Sequence, residues 1–258
     1  SVTFVAHESL PGALRQRLSD EHMNLRIISE RAGWLDDAQA LISAARETNA
    51  PVIVVDGYQF GSNYQQWIKA AGIPLLVLDD NADADMYDAD WVLNQNPHAA
   101  RAMYAHHADT TQFLLGTRYA LLRREFWRWR GRIYVRPLAG RKVLVTMGGT
   151  DPQKLTGGVI NRLERIEAHD LDVVIVVSAD NPDLPSLQAA VNRSRHTMRL
   201  QTNLTDMVPL MDWADLAISA AGSTLWELAL MGVPTCAIIT AKNQQAGAEA
   251  FAASGAIK

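Results

Sequence analysis

The chain is poor in the residues that would mark several common functions. It carries a single cysteine, Cys236. One thiol cannot build an intrachain disulfide framework, so a reducing compartment, the cytoplasm, is expected. Cys236 sits in the apolar run "TCAIIT", which reads as a small buried hydrophobe. No apolar run reaches the roughly 18 residues that suggest a membrane span, and no charged-then-apolar leader with a cleavage site is written at the start. No stable membrane insertion is therefore expected. The formal net charge is only −4, which gives no global pull towards nucleic acid or an anionic membrane.

Metal-ligand spacing is also scarce. His106 and His107 are adjacent rather than four apart on a helix, and read as surface residues. The stretch "DDNADADMYDAD", starting at Asp79, has oxygen-bearing residues where a calcium loop would place four of its ligands. Ala84 replaces the turn glycine there and Asp90 the bidentate Glu, so a calcium site is not favoured. No metal and no cofactor are expected.

What the chain does have is alternation. Apolar residues make up 48% and charged residues 20% of 258, the composition of a globular protein too long for one typical domain of roughly 100–200 residues. Short Val/Ile/Leu runs are expected as strands at 2–6, 26–29, 52–56, 75–79, 91–94, 113–116, 143–147, 173–178, 198–201, 216–220 and 235–240. Helix-length segments at 11–22, 34–47, 61–71, 153–168, 184–194 and 222–231 separate them. Continuous apolar strands alternating with helices predict an α/β fold of parallel, doubly wound sheets. The alternation breaks once, at "YALLRREFWRWRGRIYVRPLAG", residues 119–140, which reads as a solvated helix whose arginines pair between domains. No aromatic-interleaved basic platform extends it, so a nucleic-acid module is not expected. The boundary is placed near residue 138, giving Rossmann-like domains over 1–138 and 139–258 that face a cleft lined by the carboxyl ends of their strands.

Four strand ends carry unusual residues. "VIVVDGYQF" sets Asp56, Gly57 and Tyr58 directly after a strand, and "LLVLDDNADAD" sets Asp79 and Asp80 after the next. "VLVTMGGTDP" places Gly148, Gly149 and Thr150 after a strand; "ISAAGSTLWE" places Gly222, Ser223 and Thr224 at a helix start, with Glu227 about one turn on. Glycine lets backbone N–H groups reach a ligand, and a helix N-terminus offers unpaired donors to a phosphate. Ser223 and Thr224 can add hydroxyl donors, and Glu227 can accept from ribose hydroxyls. A capping box formed by the same hydroxyls and Glu227 is the competing explanation. Two glycine-bearing loops in one half tilt the balance towards an anionic sugar nucleotide.

At this point the segments "VVDGYQF", "VLNQNPHA", "LLGTRYALLRREF", "VTMGGTDPQKLT", "ISAAGSTLWELALMGVP" and "NQQ" together resemble the UDP-sugar hydrolases of pseudaminic acid biosynthesis, the PseG family. The match runs in order along essentially the whole chain. "TNLTDMVPLMDWADLAISAAGSTLWELALMGVP" is also similar to the nucleotide-binding half of MurG-type glycosyltransferases, which share the GT-B architecture.

The resemblance implies metal-free, inverting cleavage of the anomeric C–O bond of UDP-2,4-diacetamido-2,4,6-trideoxy-β-L-altropyranose. It implies that Gly149 and Thr150 line the cleft and that Gly222, Ser223 and Thr224 hold the diphosphate. Glu227 would bind ribose, the backbone around Leu204 would face uracil, and Gln244 would contact substrate. Tyr58 and Asn243 match positions at the sugar and the attacking water, and Asp79 and Asp80 would orient the sugar. The implied partners are the UDP-sugar and other enzymes of the pathway.

One departure from the family is large. Its opening loop, G-x-G-H-x-x-R, supplies the catalytic His, and no such motif is present. Ser1 aligns about where the second strand of the family begins, so the first domain is expected to lack roughly its first 30 residues, one βα unit. "AEAFAASGAIK" likewise stops where the family continues. The chain is thus expected to bind UDP and to turn over little. A glycosyltransferase and a non-catalytic UDP-sugar-binding protein are the alternative readings.

Overall fold

The computed structural model describes residues 1–137, 139–148, 151–167, 170–202, 204 and 206–257. It divides into two compact units, Ser1–Tyr119 and Ala120–Lys258. Both are α/β, and every strand ladder among the described residues is parallel.

The first unit runs β1 (Thr3–His7), α1 (Gly12–Asp20), β2 (Asn24–Ile28), α2 (Leu35–Glu47), β3 (Ile53–Asp56), α3 (Ser62–Ala70), β4 (Leu75–Leu78), β5 (Trp91–Asn94) and β6 (Gln112–Leu115). β3, β4, β5 and β6 form one sheet in that order, while β1 and β2 pair only with each other. Alternate residues Ile53 and Val55, Leu75 and Val77 point into a core shared with Tyr64, Ile68, Tyr87 and Tyr104. No residue of β1, α1 or β2 is buried, and Phe4, Leu14 and Ile27 are exposed.

The second unit runs β7 (Lys142–Thr146), α4 (Leu155–Leu163), β8 (Asp172–Val176), α5 (Leu184–Asn192), β9 (Thr197–Gln201), α6 (Val208–Trp213), β10 (Leu216–Ala220), α7 (Thr224–Leu230), β11 (Thr235–Ile238) and α8 (Gln245–Ala253). Strand order is β11-β10-β7-β8-β9. The unbroken apolar strands follow from a sheet covered on both faces. Val143, Val145, Val173 and Ile175 enter one core with α4 and α5, whereas Leu144, Val174 and Ala217 enter the other with α6, α7 and α8. Each fully buried Val, Leu or Ile here stabilises the fold by about 1.5–3 kcal/mol relative to exposure.

Two expectations are corrected. Residues 120–137 are not a solvated helix: they form a strap with a 3₁₀ turn at Arg124–Trp129, joined to the second unit by Phe126, which is wholly buried in its core. The guanidinium of Arg136 donates to the carbonyls of Met211, Asp212, Ala214, Met231 and Gly232, at the ends of α6 and α7. Burial of one aromatic and capping of two helix ends decide the strap's path, and charge pattern alone could not reveal either. Cys236 is exposed, not buried, because β11 is an edge strand. Among the described residues no helix is long and apolar enough to cross a membrane.

Candidate functional site

In the second sheet the strand order reverses between β7 and β10, the strands that leave in opposite directions from the middle of the sheet. In open parallel sheets the crevice at the carboxyl ends of such strands is where ligands bind. Several of the residues singled out in this unit lie beyond the ends of β10 and β11. Gly222 follows β10 and precedes Ser223, the N-cap of α7. Gln244 closes a 3₁₀ turn, Lys242–Gln244, that follows β11. The two meet: a Cβ built on Gly222 would stand 3.9 Å from Gln244 Nε2.

That glutamine is oriented by its neighbours. Its Oε1 accepts from the backbone N–H of Thr240 at 2.9 Å and from Thr240 Oγ1 at 3.0 Å, which leaves the amide nitrogen on the Gly222 side. From the loop after β7, Gln153 Nε2 donates to the Thr240 carbonyl at 2.5 Å. The loop after β7 and the end of β11 are thereby tied together through polar side chains, with Gly222 beside them. Gln153 and Thr240 carried no signal in the sequence, because their meeting depends on strand order. Asn243, on the same 3₁₀ turn, is exposed, and so is Leu204. Gly149 and Thr150 lie outside the described residues.

The start of α7 bears on the capping-box explanation. Ser223 makes no side-chain cap bond, and Glu227 does not fold back to the helix start. Both Glu227 oxygens accept instead from Arg123 of the strap: Nε to Oε1 at 2.6 Å and Nη2 to Oε2 at 2.9 Å. Burial pulls the Arg123 pKa down, but the bonds and charge of Glu227, with Glu125 and Asp206 near, outweigh it and raise it. At α4, by contrast, the helix start is occupied: the Asp151 carboxylate accepts from the Leu155 and Thr156 amides at 2.9 Å each. A depression of about 190 Å³ beside it, lined by Asp151, Lys154 and Asp183 among others, holds none of the singled-out residues.

In the first unit Asp56 ends β3 in register with Leu78 of β4, and Asp79 and Asp80 follow that strand. Asp79 is engaged internally: it accepts from Tyr87 Oη, from Tyr104 Oη at 3.3 Å and from the Ala82 amide at 2.7 Å. Burial, reinforced by bonds and charge from that carboxylate, pushes the pKa of both tyrosines upward, so they remain donors. Asp80 is exposed and accepts from Asn96 Nδ2 at 3.0 Å, while Asn94 donates to its carbonyl. Partial burial first, and the Asp80 charge second, raise the pKa of the Asp56 carboxyl although part of it meets solvent. The calcium-type spacing is used otherwise: Asp90 pairs with Lys69 Nζ at 2.7 Å. Among the described residues no group of three or more His, Cys, Asp or Glu could hold a metal ion. Tyr58 is 64% exposed after β3.

This architecture has relatives. Residues 142–257 match the glycosyltransferase family 28 C-terminal domain. The spore coat polysaccharide biosynthesis protein SpsG of Bacillus subtilis is 32% identical over 118 residues, 45% of this chain and 34% of that protein. A Helicobacter pylori protein named pseudaminic acid cytidylyltransferase and UDP-2,4-diacetamido-2,4,6-trideoxy-beta-L-altropyranose hydrolase is 27% identical over 210 residues, 80% of this chain and 37% of that one. The chain thus spans little more than a third of either relative. Acinetobacter baumannii MurG superposes with a TM-score of 0.64 at 18% identity, covering 100% of this chain and 76% of MurG. The MnaA–UDP structure from S. aureus gives 0.61 at 12% identity, over 97% and 74%. The fold is accordingly GT-B-like, two Rossmann-like α/β units, and the match to the family 28 C-terminal domain lies in the second.

Proposed function

We propose that this chain binds a UDP-linked 2,4-diacetamido-2,4,6-trideoxy-hexose and belongs to a hydrolase that releases the free sugar and UDP. The observation that carries the proposal is the convergence of Gly222, Gln244, Thr240 and Gln153 at the strand-order reversal of the second sheet. Backbone at Gly222 and the hydroxyls of Ser223 and Thr224 would hold the diphosphate, Gln244 would donate to it, and Gly149 and Thr150 would line the same edge. Glu227 would accept from the ribose and the backbone at Leu204 would face uracil. Asn243 and Tyr58 would act at the sugar and water, and Asp79 and Asp80 would orient the sugar; the resemblance of their segments supports these roles. The whole reads as a domain of 139–258 that binds nucleotide and a domain of 1–138 that reads the sugar, working without metal or cofactor in the cytoplasm.

Cleavage at the anomeric carbon would break the sugar C1–O bond, with water adding to C1 and the electron pair leaving on the UDP β-phosphate oxygen. In water enriched in ¹⁸O the label then enters the sugar and not the UDP. Calorimetry with UDP tests binding. Mass spectrometry of the products from the UDP-sugar tests the reaction, and label in UDP would overturn it. The family 28 match and the MurG-like fold support a second reading, transfer of the sugar to an acceptor. A product that carries the sugar on an acceptor, with no free sugar formed, would establish that reading instead.

A further inference from the structure

Glu227 is 8% exposed, on the first turn of α7, and the residue that fixes it comes from 104 positions earlier in the chain. Arg123 meets its carboxylate side-on with two parallel donors, at 2.6 and 2.9 Å, while Nη1 reaches Glu125 at 3.3 Å. Such a fork sets the plane of the carboxylate as well as neutralising it. The guanidinium is itself anchored. It lies 5.3 Å from the centre of the Phe126 ring, and Phe126 is wholly buried among core residues that include Leu225 and Leu228 of α7. Core packing therefore locks the strap, the strap locks Arg123, and Arg123 locks Glu227.

An ionised carboxylate offers about four lone-pair positions. Arg123 takes the syn lone pair of each oxygen; the anti pair of each is left, and since these two diverge each can accept from one hydroxyl. We infer that Arg123 is a positioning residue for nucleotide recognition: it holds the Glu227 carboxylate in the one plane that lets a remaining lone pair accept the ribose 2′-hydroxyl. The inference rests on the reading of Glu227 as the ribose acceptor.

The test compares UDP with 2′-deoxy-UDP by calorimetry on the full chain, for the wild type, Arg123→Lys, Arg123→Gln, Glu227→Gln and the Arg123→Gln/Glu227→Gln pair. A hydrogen bond to a charged group corresponds to a discrimination of roughly tenfold or more between the two ligands. Wild type should show it, and both Arg123 variants should bring the ratio towards one. Arg123→Lys keeps the charge but loses the fork, so it separates geometry from charge. The paired variant should be no worse than Glu227→Gln alone, since both remove one unit. A lowered melting temperature with the UDP/2′-deoxy-UDP ratio intact in the Arg123 variants would make the contact purely structural and overturn the inference. Tighter UDP binding by Arg123→Gln would also overturn it, because Arg123 would then compete with the ribose. If the ratio survives in Glu227→Gln, or wild type binds no UDP, the underlying reading of Glu227 fails. Should the variants not fold, the Arg123 Nε–H signal of wild type decides: it should stay protected when UDP is added, and its loss would mean that the pair opens.

Discussion

Gly222 faces Gln244 across a gap that a methyl group would fit: among the described residues other than its chain neighbours, the nearest atom to a Cβ on Gly222 is Gln244 Nε2, at 3.9 Å. The backbone there is outside the left-handed region, so among the described residues neither space nor dihedral angle explains why glycine occupies the position. A glycine that the fold does not require is best explained by what must approach it.

Gly222→Ala should therefore separate stability from binding. Folding should be unchanged, or improved by about 0.4–1 kcal/mol through a less flexible unfolded chain. UDP affinity should fall by roughly tenfold or more, equivalent to about 1.4 kcal/mol, because the methyl stands where a phosphate oxygen meets the main chain. Thermal unfolding and calorimetry on one preparation check both. A variant that binds UDP as well as wild type would remove Gly222 from the site.

Arg136 makes the complementary prediction, a stability effect without a role at the strand ends. Its five carbonyl acceptors are orphan groups at the ends of α6 and α7, where a cation also opposes the helix dipole. Arg136→Met should cost about 1–3 kcal/mol and lower the melting temperature by several degrees. Arg136→Lys should recover only part of it, since one ammonium cannot span two helix ends. Full recovery by Lys would show that charge alone mattered.

These two residues mark what was legible in the chain and what was not. All eleven strands among the described residues could be read from apolar runs, most plainly β7 and β8, which are covered on both faces and spell it out in continuous Val, Ile and Leu. α6 was harder: six residues with a proline in its first turn show too little periodicity. The alanine-rich α8 buries only Ala248 and Phe251, a weak stripe. Gly222 announced itself by its place between strand and helix. Gln153, Thr240 and Arg123 did not, because each matters through a partner far off in sequence, Arg123 by 104 residues. Strand order and core burial bring those partners together, and no local pattern encodes either.

Gly232 tests how tightly the strap is held. It has φ +58°, and a Cβ there would lie 2.9 Å from Tyr134 Cβ and 3.0 Å from Tyr134 Cδ2. Gly232→Ala should cost about 2–3 kcal/mol, of which roughly 1 kcal/mol is the left-handed backbone and the rest displacement of the strap. In a Tyr134→Gly background, which also removes the Cβ, the same change should cost only the backbone share. Chemical denaturation of the four proteins gives the cycle, and equal costs in both backgrounds would mean that Tyr134 moves aside freely.

Two carboxylates at the sheet end of the first unit, Asp56 and Asp80, are coupled through charge. Loss of solvent is the larger cause of the raised Asp56 pKa, and the Asp80 charge the smaller. In Asp80→Asn the Asp56 midpoint should therefore move down yet stay above its ordinary 3.8, because the burial remains. Carbon-detected NMR titration of the carboxyl reads this directly. Above the ordinary value the folded protein holds this proton more tightly than the unfolded chain, so stability falls as pH rises through the window between the two pKa values. Asp56→Asn has no proton to lose, and its stability relative to wild type should rise from about pH 4 towards the raised midpoint and level off beyond it. Asp56 is partly exposed, so solvent screening keeps the effect modest. A midpoint indifferent to Asp80 would leave burial as the whole cause and dissolve the coupling between the ends of β3 and β4.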